Sequence, residues 1–232
     1  MERKGKIKSV IGILVILAFI IYYSVTAIID LVSIGNAKTI DSQTMEINND
    51  GISVSGDFHY LSDGPIFKMK HSINYLIPTG NEYYFMLFND DFSRAVFIRA
   101  DEDFADEFYK GKSPSEMSLG KGQNIKGKVR ELDNDIRREM SDYIEGLKND
   151  NIQVLSNGSD YLYIDLTVSF QCTLRLITAF VFLICAVLII ILARCKSFSE
   201  KHPGVSKGLG IFTIVMLLAG IISMIYTMSF LF

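Results

Sequence analysis

The residues best suited to chemistry in this 232-residue chain are few and poorly spaced for it. Only His59 and His71 fall in the polar stretch between the first and second apolar segments, twelve positions apart. Metal sites use ligands one helical turn apart or in close pairs, and this spacing is neither. The two read as surface or locally bonded side chains. All three cysteines, Cys172, Cys185 and Cys195, lie in or beside apolar segments. The polar stretch therefore has no thiol chemistry and no disulfide framework, and only a bond between chains through Cys172 stays open. No serine stands in a Gly-x-Ser-x-Gly elbow. Gly120-Lys121-Gly122 precedes a strand, whereas a phosphate loop follows one and opens a helix. Asp101-Glu102-Asp103 with Asp106-Glu107 lacks the alternating ligands and central glycine of a calcium loop. Acids in a first helical turn are expected from the helix dipole. Lys121, Lys126, Lys128 and Arg130 read as a solvated strand edge. Carboxylates are numerous enough for a hydrolytic pair, but the spacing does not say which two would meet. The sequence thus nominates no catalytic, cofactor-binding or metal-binding residue.

The elements that would position any site divide sharply. Val10–Ile29 is twenty uncharged residues, about 30 Å as a helix, the thickness of a bilayer core. Leu176–Ala193 and Leu209–Phe232 are likewise uncharged, with Arg175 at the outer edge of the former, placed to snorkel to headgroups. The resulting plan is a basic N-terminus over 1–9, membrane helices at 10–30, 173–193 and 208–232, a loop at 194–207, and a folded domain at 31–172. Val25-Thr26-Ala27 resembles a signal cleavage site, but the apolar run is longer than a signal core, which favours an uncleaved anchor.

Charge orients this plan. Arg3, Lys4, Lys6 and Lys8 stand against Glu2, and Arg194, Lys196, Lys201 and Lys207 against Glu200, so each flank carries +3. Residues 31–172 hold 14 Lys and Arg against 23 Asp and Glu, a net charge of −9. Three crossings put both basic flanks on one side, the cytoplasm, and the acidic domain outside. That location, with the acidic charge, argues against nucleic acid.

Within 31–172 the pattern predicts a small α+β domain, a partly open barrel with two helices. Residues 31–50 read as a linker or lone strand. Strands are predicted around Ile52–Tyr60, Ile66–Met69 and Ile73–Ile77, the last ended by Pro78-Thr79-Gly80. Tyr83–Phe88, Asn89-Asp90-Asp91 and Arg94–Ile98 read as a hairpin covered on both faces. A helix from Asp101 to Lys110 stops at Gly111, and 111–124 reads as a mobile loop. Ile125, Gly127 and Val129 alternate as a strand. Asp133 caps a helix whose stripe is Ile136, Met140, Tyr143, Ile144 and Leu147, with Arg138 and Asp142 paired on its wet side. In the last strand Leu162, Ile164, Leu166 and Val168 face one way, and Tyr161, Tyr163, Asp165 and Thr167 the other. Asn157-Gly158-Ser159, formally a glycosylation triplet, reads as a turn.

Tyr75-Leu76-Ile77-Pro78, the aromatic hairpin with Asn89-Asp90, Ile125-Lys126-Gly127-Lys128-Val129-Arg130, and Tyr163-Ile164-Asp165-Leu166 resemble membrane proteins of Gram-positive bacteria with an anchored outer domain of unknown function. The resemblance spans roughly residues 70–190, implies a bacterial cell-membrane protein and carries over no functional residue. No apolar segment holds a central ionisable residue, which disfavours a lone transporter. Ala179, Ala186 and Ala193, with Ala219, Ser223 and Thr227, predict close packing of the second and third segments, within the chain or between copies. The expected function is a membrane-anchored, extracytoplasmic binding or sensing module, or an accessory subunit of a membrane complex, its partners being the bilayer and other membrane proteins. The alternative is an envelope hydrolase using carboxylates of the outer domain.

Overall fold

The computed structural model of the chain describes residues 2–47, 50–73, 77–118, 120, 122–194 and 202–228. It divides into two compact units, one of Met1–Asp30 with Phe170–Phe232 and one of Leu31–Ser169.

The first unit is helical. Helix α1 covers Glu2–Gly35, and the two helices that follow the second unit cover Val168–Arg194 and Pro203–Met228. Each contains a span long and apolar enough to cross a membrane: Leu17–Gly35, Val168–Ile191 and Gly204–Ile225. Ile20, Tyr23, Ala179 and Phe182 form a small core, with Phe19, Leu217 and Met224 against it. Thr178 and Ser223 share a hydroxyl hydrogen bond of 2.6 Å. A side chain at Gly220 would lie 3.3 Å from the Phe182 ring, and Cys185 Sγ donates to the Thr213 carbonyl at 3.9 Å. These contacts climb one helix while descending the other, so the last two helices run antiparallel. Arg175 does not snorkel outward. Its guanidinium donates to Asp30 at 2.9 Å and to Cys172 Sγ at 3.3 Å, and it is buried. Cys172 is also fully buried, which closes off the thiol considered for a bond between chains. Ala27, in the cleavage-like triplet, is fully buried inside α1.

The second unit is a mixed sheet with helices. Its strands are β1 (Lys38–Thr39), β2 (Ser53–Phe58), β3 (Tyr60–Leu61), β4 (Phe67–Ile73), β5 (Ile77–Phe88), β6 (Arg94–Ala100), β7 (Gln123–Glu131), β8 (Gln153–Val154), β9 (Ser156–Asn157) and β10 (Asp160–Asp165). Helices α2 (Phe104–Phe108), α3 (Pro114–Ser118), α4 (Asn134–Glu139) and α5 (Ser141–Asn149) interrupt them, and α6 (Val168–Arg194) and α7 (Pro203–Met228) follow. The pairing path is β1-β2-β7-β10-β6-β5-β3, with β4 on β5, β8 on β6 and β9 on β10. β10 lies antiparallel to β7 and parallel to β6.

Strand alternation produces two cores. Phe85, Leu87, Val96, Ile98, Ile125, Val129, Leu162 and Ile164 belong to one. Tyr84, Met86, Ala95, Phe97 and Tyr163 belong to the other, with Ile136, Met140, Ile144 and Leu147 from α4 and α5. Both faces of β5, β6 and β10 are therefore covered, as the apolar runs of β5 and β6 predict. Gly127 is required where β7 passes β10. A Cβ there would stand 2.6 Å from the Asp165 carbonyl oxygen and 2.7 Å from Ile164 Cγ2.

Several expectations are corrected. Residues 31–50 are no linker: α1 runs on to Gly35, and Ile40, Met45 and Ile47 enter the first core. Three separated apolar residues were enough, though too few to make a pattern. Pro78-Thr79-Gly80 does not end a strand. β5 runs through it, and the β4–β5 register shifts between His71 and Ser72, the kind of irregularity that accommodates a proline lacking its N–H. Residues 74–76 of the predicted Ile73–Ile77 strand lie outside the described residues. The 111–124 loop contains α3, because Ser113 and Glu116 cap it reciprocally: Glu116 accepts from the Ser113 N–H at 2.7 Å, and the Glu116 N–H donates to Ser113 Oγ at 3.4 Å. The Asp101–Lys110 helix shrinks to α2, followed by Gly111 at φ +74°. Asp133 does cap its helix, through Asp135 N–H, but the helix breaks at Met140 and resets its stripe. Tyr143 is left 38% exposed, and Arg138 pairs with Asp135 at 3.2 Å rather than with Asp142.

Gly127→Ala should cost about 2 kcal/mol, since the neighbouring atom is backbone and cannot swing aside. Gly146→Ala, in α5 with open space around it, should be neutral or stabilising by up to about 1 kcal/mol. Urea titration of the two variants checks the contrast.

Candidate functional site

The sheet register sets one row of charged residues at the end of β10. Asp165 faces Arg99 on β6 and Lys128 on β7, Tyr163 faces Arg130, and Tyr84 on β5 faces Arg99. The two-residue period then brings Glu82, Arg99, Arg130 and Asp165 to the face that carries Tyr84, Phe97 and Tyr163.

Their side chains meet. Arg99 Nη2 lies 2.8 Å from Glu82 Oε1, and Glu82 Oε2 accepts from the Tyr84 hydroxyl at 2.9 Å. Arg99 Nη1 lies 3.8 Å and Arg130 Nε 3.3 Å from Asp165 Oδ2. Asp165 Oδ1 accepts from the Thr167 N–H at 3.0 Å and from its hydroxyl at 2.7 Å. Side-chain exposure is 6% for Arg99 and Glu82 and 0% for Asp165, so these three are shut off from solvent, while Arg130, 26% exposed, closes the network at its edge. Asp165 Oδ2 and Arg130 Nε are close enough for an ion pair, yet neither makes a hydrogen bond of ordinary geometry. Asp165 is therefore held firmly through one oxygen and loosely through the other.

Two carboxylates and two guanidiniums balance in charge, the condition under which burial is tolerated. Burial lowers the pKa of Arg99, but the Asp165 and Glu82 carboxylates outweigh it, and the net shift is upward. Burial, then Asp165, pushes the Tyr163 phenol up to about 12, against the partial opposition of Arg99 and Arg130. Burial, then Tyr163 and Glu82, pushes Tyr84 still higher. The arrangement ties four strands, β5, β6, β7 and β10, to Thr167 just before α6. It presents no open carboxyl to a substrate.

A second polar cluster surrounds His59, the single residue between β2 and β3. Its Nδ1 lies 2.8 Å from Asp90 Oδ1 and its Nε2 3.2 Å from the Gly120 carbonyl, while Gln43 Nε2 donates to Asp90 Oδ2 at 2.5 Å. Both ring nitrogens are thus occupied by acceptors, in line with a locally bonded histidine. His71 stands on β4 opposite Gly80, and its side chain lies outside the described residues. Glu102 accepts from the Tyr83 hydroxyl, and among the described residues no group of His, Cys, Asp and Glu is arranged to hold a metal ion. Of the basic run, Lys126 is exposed but Arg130 turns inward; Lys121 lies outside the described residues. Gly158, at φ +64°, makes the two-residue turn between β9 and β10.

Comparison with family models, curated proteins and solved structures finds no match. Glu82 and Arg99 give no signal in the sequence because each sits one residue outside an apolar run. Carrying the alternation one step further, Glu82 with Tyr84 and Phe97 with Arg99, would have placed both beside Asp165.

Asp165→Asn leaves the buried Arg99 and the partly exposed Arg130 short of a counter-charge and should cost about 3 kcal/mol, whereas Glu145→Gln, exposed on α5, should change stability by less than about 0.5 kcal/mol. Chemical denaturation monitored by near-UV circular dichroism reads both.

The tyrosines predict an alkaline limit. Folded phenols with raised pKa values bind protons more tightly than the unfolded chain, whose reference value is 10.0. Stability is complete below pH 10 and falls as pH rises toward 12. Tyr84→Phe with Tyr163→Phe should flatten that decline, measured as Tm against pH.

Proposed function

We propose that the protein is a multi-pass membrane protein whose Leu31–Ser169 unit stands outside the cytoplasm as a binding or sensing module, or as an accessory subunit of a membrane complex. One observation carries the reading. Asp165 ends the central strand, is held from β6 and β7, and bonds to Thr167 immediately before α6 begins at Val168. A rearrangement of the sheet that disturbs Arg99 or Arg130 thereby reaches the first turn of a helix able to span a membrane.

The orientation rests on the +3 flanks before the first apolar segment and between the last two, against −9 for residues 31–172. A partly open barrel is the sheet geometry we favour. Its support is that β2 and β3, far apart on the pairing path, are joined by His59 alone. The burial of Ala27 inside continuous α1 supports an uncleaved anchor.

In a cysteine-free background, Ser141→Cys should react with a membrane-impermeant maleimide in intact cells and Lys207→Cys only after permeabilisation; the reverse pattern overturns the orientation. Purified in mild detergent from its native membrane, the full chain should carry a stoichiometric partner or self-associate. A solitary monomer under every condition would sink the accessory-subunit reading.

A further inference from the structure

The β5–β6 turn combines features that folding alone does not require. Phe92 sits at φ +57° with 46% of its surface exposed. A bulky residue in the left-handed region is a steric outlier, and asparagine or glycine would adopt the same backbone at less cost. The strain persists because the turn is over-determined. Asn89, 1% exposed, donates from Nδ2 to the Gln43 carbonyl and to Ser93 Oγ, both at 3.1 Å, and accepts at Oδ1 from the Arg94 N–H at 2.9 Å. The Phe92 N–H donates to the Asn89 carbonyl at 3.2 Å. Arg94 also reaches the Thr44 carbonyl. Beside that contact, Met45 is a second non-glycine residue at positive φ, +46°.

The held side chain lies on the surface. Its ring packs at a tilt, 4.7 Å from Tyr60 and 5.5 Å from Phe88, making an aromatic platform of three rings. Asp90 and Asp91 stand in the same turn. Asp90 is partly open, and Asp91 is exposed and accepts from the Ser93 N–H at 3.0 Å. Hydrogen bonds from Ser93 hold the Asp91 carboxyl below its ordinary pKa, so it stays charged. The platform is at the start of β6, whereas Arg99, beside the chain's exit through Asp165, is near its end.

We infer that this turn is a docking surface for a cationic, extended polypeptide segment of a partner protein, whose arginine or lysine side chains lie over the Tyr60–Phe92–Phe88 rings and pair with Asp90 and Asp91. Cations are drawn to aromatic faces, and an adjacent carboxylate adds a directed charge. A rigid aromatic inside a polar rim is also the usual anatomy of an interface hot spot. The −9 charge of residues 31–172 attracts such a segment and repels an anionic bilayer surface. A neutral glycan would use the rings and draw nothing from the negative charge of the turn, where Asp90 also holds His59 and Gln43 and Asp91 also holds the Ser93 N–H. The inference deepens the binding reading above, and its failure leaves the labelling and co-purification outcomes standing.

The test uses the full chain in detergent at low salt, with a fluorescent dodecapeptide of alternating arginine and leucine and its glutamate-for-arginine counterpart, read by anisotropy. The arginine peptide should bind and the glutamate peptide should not. Phe92→Ala should weaken binding by at least about tenfold, and Asp91→Asn should weaken it and flatten its salt dependence. Asp101→Asn with Asp103→Asn, beyond the other end of β6, should leave it unchanged. Phe92→Asn, which suits the backbone, should lose binding while melting no lower than the unaltered chain, which separates recognition from folding. Equal binding by Phe92→Ala, equal weakening by the Asp101 and Asp103 changes, or binding of the glutamate peptide would overturn the inference. So would Phe92-dependent binding of a neutral chitin oligosaccharide.

Discussion

A carboxylate without access to water must be answered by the protein, and Asp165 is met by charge and hydrogen bonds from several directions at once. Thr167 bonds one of its oxygens, and Arg99 and Arg130 lie beside the other. Those partners come from β6, β7 and the two-residue link before α6, so the position of one side chain fixes β10 between its two neighbours and sets where the helix begins. A one-residue slip of β10 would turn Asp165 into the Leu162–Ile164 core and expel an apolar residue to face two guanidiniums. The burial cost of the network is the source of its specificity.

The same constraint explains the distribution of tyrosine. Tyr84 and Tyr163 stand between the apolar face under α4 and α5 and the charged row, with ring centroids 5.6 Å apart. Their rings belong to the core, and the Tyr84 hydroxyl serves Glu82. A phenylalanine there would fill the space but leave a buried carboxylate oxygen one donor poorer. Charge and packing meet at residues that can do both.

The architecture is more legible in the sequence than the network, for a physical reason. Apolar periodicity registers what is buried through many small contributions, so the three apolar helices, the β5–β6 hairpin, the α4–α5 stripe and the two faces of β10 were legible. The Asp133 cap was legible because a cap is local. Glu82, Arg99 and Arg130 were not, since a charged residue at a strand end looks solvated until a distant strand supplies its counter-charge. Ile40, Met45 and Ile47 were missed because they join the core without a repeating pattern. Ser113 with Glu116 carries a capping signature inside a stretch whose Gly, Ser and Lys content points to a loop, and Pro78 is a poor stop signal because a register irregularity absorbs a proline.

The place of β10 has a consequence for how the chain is made. The strand at the middle of the sheet is the last to be synthesised, and it inserts between β6 and β7, which do not pair with each other. Until Asp160–Asp165 has emerged, each of those strands carries an open edge, and open edges recruit wrong neighbours. Two residues later the ribosome begins α6. Closure of the sheet and synthesis of an apolar helix long enough to cross a membrane therefore follow closely in biosynthesis, and delay in closure prolongs the exposure of the half-built sheet.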